Sequence, residues 1–142
     1  MTISTKGRYA LRIMVDLASN YDGSYIPLKT VAERQGLSQK YLEHIFRILV
    51  QNHVVEGVQG KGGGYCLTRK PEEYTVGEIL RMSEGEFAAS SCLECHSKTC
   101  EHTDQCLTDL MWKNLQGVID GYLDSITIKD LISDTNKKDC EE

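Results

Sequence analysis

Ala32-Glu33-Arg34-Gln35-Gly36-Leu37-Ser38 is the stretch that decides the fold. Small Ala32 lets two helices approach closely, and Gly36, four residues on, supplies a left-handed turn. Leu37 plugs the corner and Ser38 caps the helix that follows. This is helix-turn-helix chemistry, although any corner between two helices needs similar residues. Working upstream, Ser4 or Thr5 can cap a first helix in which Tyr9, Ala10, Ile13, Met14, Leu17 and Ala18 recur at helical spacing. It ends near Asn20-Tyr21-Asp22-Gly23, and Ile26-Pro27-Leu28 reads as an extended lead into a short helix over residues 29–35. Downstream, residues 39 to about 52 form a third helix with Tyr41, Leu42, Ile45, Phe46, Leu49 and Val50 on its apolar face.

Two short strands follow, Val54 to Val58 and Tyr65 to Thr68, around the glycine-rich tip Gln59-Gly60-Lys61-Gly62-Gly63-Gly64. Three helices and then a hairpin define a winged helix-turn-helix, a mainly α (α+β) fold with a two-stranded wing. After Pro71, Thr75-Val76-Gly77-Glu78 has the form of a capping box opening a fourth helix. Residues 107–122 carry an apolar stripe of Leu107, Leu110, Met111, Leu115, Val118, Ile119 and Tyr122, with Trp112 at its shoulder. Nothing evident in the chain covers that stripe, so the long C-terminal helix is expected to pair with a second copy of itself. Thr127 caps a last short helix. The expected divisions are a DNA-binding domain (1–83), a cysteine-rich loop (84–106), a dimerisation helix with a closing helix (107–132) and a disordered tail (133–142).

The 142 residues carry a net charge of −5, which taken whole argues against a polyanionic partner. The halves disagree with the average. Residues 1–70 hold ten Lys and Arg against five acids, whereas residues 71–142 hold six against sixteen. A basic half touching nucleic acid explains the asymmetry; two unequal solvated surfaces would also produce it. On the third helix Ser38, Gln39, Lys40, Tyr41 and Glu43 are candidates to face the major groove, since Gln pairs with adenine and Glu accepts from cytosine. Tyr41 equally suits the core. Gln59 and Lys61 at the wing, with Arg8 on the first helix, are candidates for minor-groove and phosphate contacts. No apolar run spans a bilayer, and no secretory signal is read, so a cytoplasmic location without a membrane partner is expected. The wing fits neither nucleotide-binding glycine pattern: Gly62 follows Lys61 where Ser or Thr is required, and Tyr65 or Leu67 stands where a third glycine belongs. With no triad or oxyanion pattern either, neither enzymatic activity nor a small-molecule substrate is expected.

Cys92, Cys95, Cys100 and Cys106 crowd one loop, interleaved with His96 and His102. In a reducing compartment such thiols read as metal ligands before disulfides, and either zinc or an iron–sulfur cluster fits the spacing. Cys66 reads as a small core residue and Cys140 lies in a polar tail.

The chain resembles the IscR and NsrR type of winged-helix regulators that carry iron–sulfur clusters. The likeness runs through Lys6-Gly7-Arg8-Tyr9-Ala10, Leu42-Glu43, Gly60-Lys61-Gly62-Gly63-Gly64-Tyr65, Cys106-Leu107-Thr108 with Leu110 and Trp112, and Ile126-Thr127. It covers roughly residues 1 to 132. The resemblance implies a transcription regulator, a repressor type acting on double-stranded operator DNA as a homodimer, its long helices crossing near the cluster. It implies cluster ligation by Cys92, Cys100 and Cys106, in a 2Fe-2S cluster by likeness to IscR, with 4Fe-4S or zinc as alternatives. Asp109 occupies the place of the histidine ligand of IscR proteins, with Cys95 and His102 as alternatives. The chain departs from its relatives in its longer loop, in Gln59 where many have Arg, and in Arg8 where the nitric-oxide-sensing branch uses an acid.

Overall fold

A computed structural model describes residues 3–85, 88 and 107–138, with side chains through residue 134. Helix α1 (Thr5–Ser19) begins at Ser4, whose hydroxyl accepts from the Gly7 amide, and buries Ala10, Ile13, Met14 and Leu17. Helix α2 (Leu28–Gln35) ends at Gly36, which takes the left-handed conformation at φ 65° that the corner demands. Helix α3 (Gln39–Gln51) starts on Ser38, whose Oγ accepts from the Tyr41 amide at 3.2 Å. Its inner face, Leu42, Ile45, Phe46 and Leu49, is fully buried against α1.

Strands β1 (Val55–Val58) and β2 (Gly64–Leu67) pair antiparallel, Val55 opposite Leu67 and Val58 opposite Gly64. The extended Ile26 adds a third edge: its amide donates to the Tyr65 carbonyl at 2.9 Å, and the Tyr65 amide returns the bond at 2.8 Å. Gly64 is obligatory there, because a Cβ would lie 2.2 Å from the Ile26 carbonyl oxygen. The wing base is fixed by Tyr74, a fully buried ring whose hydroxyl donates to the Val54 carbonyl at 2.8 Å and accepts from the Arg69 amide at 2.8 Å.

Helix α4 (Val76–Glu84) packs along α1 and leads to the cysteine segment. Helices α5 (Asp109–Ser125) and α6 (Ile128–Lys138) complete six α-helices among the described residues, beside one 3-10 turn at Pro71–Glu73. Helix α6 returns to α1, and Ile128 is buried in the common core. Thr127 caps α6 reciprocally, its Oγ1 accepting from the Asp130 amide and its amide donating to Asp130 Oδ2.

Three local expectations change. Thr75 Oγ1 accepts from the Glu78 amide, but the Glu78 carboxylate does not close a capping box; it accepts from Arg69 at 2.6 Å, a stronger charged partner than a backbone amide. Helix α6 runs to Lys138, past the boundary expected at residue 132, because its reciprocal cap and its packing on α1 outweigh a polar composition. The α5 stripe divides: Leu107, Leu110, Met111, Leu115, Val118 and Tyr122 are exposed, whereas Ile119 turns half inward beside Trp112 and Leu123. Helix α5 packs on α4, where Arg81 pairs with Asp120 and Asp124.

Candidate nucleic-acid interface and cysteine segment

Capping by Ser38 and burial of the Leu42–Ile45–Phe46–Leu49 face leave Gln39, Lys40 and Glu43 exposed on the outer side of α3. His44 and Arg47 continue that face, since each follows one of these by four residues and is also exposed. His44 was not singled out from the sequence, although its spacing from Lys40 carries the signal. Tyr41 belongs to the other side. It is half-buried, and its ring meets Tyr9 of α1 edge-on with centroids 5.7 Å apart and planes at 81°. Arg12 covers the other ring of that pair, 5.1 Å from the Tyr9 centroid.

Between α3 and the wing lies an open groove of about 620 Å³ whose walls include Glu43, Arg47, Val58, Gln59 and Tyr65. Gln59 and Lys61 are exposed, and the tip bends at Gly60 and Gly62, both with positive φ. Arg8 is exposed on the first turns of α1, its guanidinium donating to Thr5 Oγ1 at 3.4 Å. Of the candidates, the structure brings Glu43 of α3 and Gln59 of the wing to one groove, while Ser38, Gln39, Lys40 and Lys61 are exposed outside its lining.

A buried carboxylate sets the angle between α1 and α2. Asp16 accepts from Arg34 at 2.7 Å and from Gln35 Nε2 at 2.8 Å, while Gln35 Oε1 and its carbonyl accept from Arg12 at 3.0 Å each. A buried charge is tolerated only when so paired, which makes this network a specific lock on the corner. Sequence reading passed over Asp16, because an acid on an apolar helix face signals only when its cationic partner is known.

Of the metal candidates, Cys92, Cys95, Cys100, Cys106 and His102 lie outside the described residues. Asp109 is the first residue of α5 and pairs with Lys113 at 2.7 Å, one turn on. Its hydrogen bond holds the Lys113 ammonium above its ordinary range. Among the described residues no three His, Cys, Asp or Glu side chains gather as a metal site. Cys66 is a free, half-buried thiol in β2 whose pKa is pushed up by burial and by the nearby Glu56 and Asp22 carboxylates. It is unsuited to act as a nucleophile. No described helix is long and apolar enough to cross a membrane.

A recognition helix capped at the corner of two packed helices, flanked by a two-stranded wing, defines the winged-helix class of transcription regulators. Within that class the chain belongs to the Rrf2 family of iron-dependent transcriptional regulators, whose family model matches residues 3–134. It is 34% identical over 142 residues to the HTH-type transcriptional regulator IscR of Cronobacter sakazakii, covering 100% of this chain and 86% of the relative. IscR of Escherichia coli is 36% identical over 133 residues, covering 94% and 81%. Among solved structures, CymR, the global cysteine regulator of B. subtilis, superposes with a TM-score of 0.78 at 34% identity, covering 94% of this chain and 97% of that one. T. potens IscR gives 0.74 at 36% identity, covering 95% and 88%. These relatives regulate transcription and are not enzymes.

Proposed function

We propose that the chain is an IscR-like, iron–sulfur-dependent regulator that binds operator DNA as a homodimer in the cytoplasm. The observation that carries this reading is the single groove shared by the exposed face of α3 and the wing, in the half of the chain that is net basic. With α3 in a major groove, Gln39 can pair with adenine, Glu43 can accept from cytosine, and Ser38 and Lys40 can reach neighbouring edges or phosphates. Lys61 and Gln59 then stand at the adjacent minor groove, and Arg8 at the backbone. Tyr41, half-buried against Tyr9, supports the start of the helix and leaves its exposed part beside these residues.

Residues 1–83 form the DNA-binding unit in this reading, residues 84–106 the cluster-binding loop and residues 107–132 the dimerising part. The exposed line Leu110, Met111, Val118 and Tyr122 is the surface for the second copy. Cys92, Cys100 and Cys106 supply three soft thiolates suited to iron, and Asp109 a harder, weaker fourth donor, with Cys95 and His102 as alternatives. The donor chemistry fits a 2Fe-2S cluster, which when bound supplies an iron site sensitive to oxidants and to iron supply. Asp109 must leave Lys113 to serve; the Lys113 end of the pair is exposed, which keeps the tie modest although the Asp109 carboxylate is partly buried. Anaerobic purification with iron, sulfide and zinc analysis tests the reading. Coloured protein with matching iron and sulfide supports it; colourless protein with one zinc per chain overturns the sensor and leaves a zinc-stabilised DNA-binding module.

A further inference from the structure

Helix α4 packs on α1 and α3, and among the described elements it is the one against which α5 packs extensively. The direction of α5 relative to the recognition helix is therefore set where these two helices meet. At its C-terminal end α5 is tied by backbone: the Val76 amide donates to the Ile126 carbonyl at 2.9 Å, and the Ile128 amide to the Tyr74 carbonyl at 3.0 Å. Side chains add a second attachment. Arg81 of α4 holds Asp124 with two parallel bonds, Nη1 to Oδ1 at 2.7 Å and Nη2 to Oδ2 at 3.1 Å, and its Nη2 also reaches Asp120 Oδ1 at 3.4 Å.

A forked pair of this kind adds little stability when half-exposed, but it fixes direction, because two planar groups must align. Gly77 makes the seat. A Cβ there would lie 2.2 Å from Asp124 Oδ1 and 3.0 Å from Arg81 Nη1, so the carboxylate fills the space that a side chain at 77 would take. Seventeen residues make α5 about 25 Å long, so a tilt of about 10° at its tied end carries the far end about 4 Å. One base-pair step of DNA is about 3.4 Å. The exposed line Leu110, Met111, Val118 and Tyr122 runs along the same helix, and whatever is seated on it moves with the tilt.

We infer that the Arg81–Asp124 fork, seated on Gly77, sets the separation of the two recognition helices in the homodimer proposed above, a reading on which this rests, and so the half-site spacing that the dimer accepts. Arg81, Asp124 and Gly77 are then specificity-determining residues for operator geometry, although they act through α5 and not by reading bases.

The full chain, purified anaerobically, first enriches duplexes from a random-sequence pool. Affinity is then measured for an enriched duplex and for versions with one base pair inserted or removed between its half-sites. Wild-type protein should lose roughly tenfold for one base pair, the scale of a single mismatch. Arg81→Gln has no fork, and Gly77→Ala keeps both charges but displaces Asp124; each should cut that penalty to about twofold, as a helix free to tilt by one base-pair step predicts. Gly77→Ala is the sharper variant, since alanine is the better helix former and does not weaken α4. In both variants sedimentation should match wild type, and affinity for a single half-site should stay within about twofold, as for distant, independent sites. A spacing penalty unchanged in both variants overturns the inference and leaves the fork a plain stabilising tie. A variant that loses the dimer, or whose single-half-site affinity falls in step with the rest, shows a structural role and overturns it as well. Wild-type protein that enriches no duplex, or only single half-sites, overturns the homodimeric reading and the spacing role with it.

Discussion

Phe46 of α3 stacks on Tyr65 of β2, ring centroids 4.0 Å apart and planes within 12°. Phe46 is fully buried, so this contact joins the recognition helix to the wing through the core rather than across solvent. A double-mutant cycle with Phe46→Leu and Tyr65→Leu should return a coupling of about 0.5–1.5 kcal/mol in urea unfolding. Strict additivity would mean that helix and wing are held independently.

The basic half leads to a salt dependence. A dimer neutralising about 6 to 10 phosphates should show log K falling against log salt with a slope of roughly −5 to −9. Lys61→Ala should weaken binding to all sequences and reduce the slope by about 1, whereas Gln39→Ala should alter base preference at a fixed slope. Fluorescence anisotropy on a selected duplex at several salt concentrations measures both, and indifference to salt and to both substitutions would remove this surface from DNA binding.

Dimerisation is best tested away from α4. Val118 and Tyr122 are 69% and 64% exposed in the single chain, so Val118→Lys with Tyr122→Lys should leave a folded protomer and abolish pairing. Sedimentation at micromolar concentration should show a wild-type dimer and a variant monomer. Ile119 makes a poorer probe, since it is half-buried within its own chain. A wild-type monomer would end the proposal.

Asp109 and Lys113 give opposite expectations from one ion pair. Asp109→Ala should shift the visible spectrum or hasten bleaching in air, and Asp109→His should be tolerated. Lys113→Ala frees the carboxylate and should lengthen the chromophore's lifetime. Single Ser replacements at Cys92, Cys100 or Cys106 should remove the colour and Cys95→Ser should spare it. Bleaching by Cys95→Ser, with Asp109→Ala silent, would reassign the fourth ligand.

Acid should loosen the fold through a few carboxylates. Burial pushes the Glu84 carboxyl up, but hydrogen bonds from the Ser4 hydroxyl and the Ser4 and Gly7 amides, with the Lys6 charge, bring it net below its ordinary value. The Thr127 amide and hydroxyl lower Asp130, and Arg81 lowers Asp124. A carboxyl depressed in the folded chain contributes stability above its unfolded pKa and loses it as pH falls through the folded one. Urea midpoints should therefore hold down to about pH 5 and fall below about pH 4, with a shallower fall in Glu84→Gln.

What the sequence made legible follows from range. Ser38, Thr75 and Thr127 declare helix starts because a cap and its amide lie within one turn, and the burial of Leu42, Ile45, Phe46 and Leu49 follows from helical spacing alone. The choice of Glu78 for Arg69, of Arg81 for Asp124 and of Glu84 for Ser4 depends on how elements meet in space, and no local pattern announces it. Tyr41 shows the boundary between the two: its spacing suits either face, and only the position of Tyr9 decides. The exposed face of α3 was legible as a surface from helical spacing, whereas the proposed cluster ligands rest mainly on resemblance, since cysteine spacing alone admits zinc.

The wing can be regarded mechanically as a cantilever. It is clamped near its root by the Tyr74 hydroxyl on Val54, along its length by the two-way bonding of Ile26 with Tyr65, and from beneath by Phe46. What projects beyond the last clamp is the tip between Val58 and Gly64, where the strand pairing ends. A beam so held bends only at its end, so in the proposed complex only the tip, closed by the Gly63 amide on the Gly60 carbonyl, has to adjust while the base keeps its angle to α3. Lengthening the tip would therefore change the reach of Lys61 without re-aiming the recognition helix.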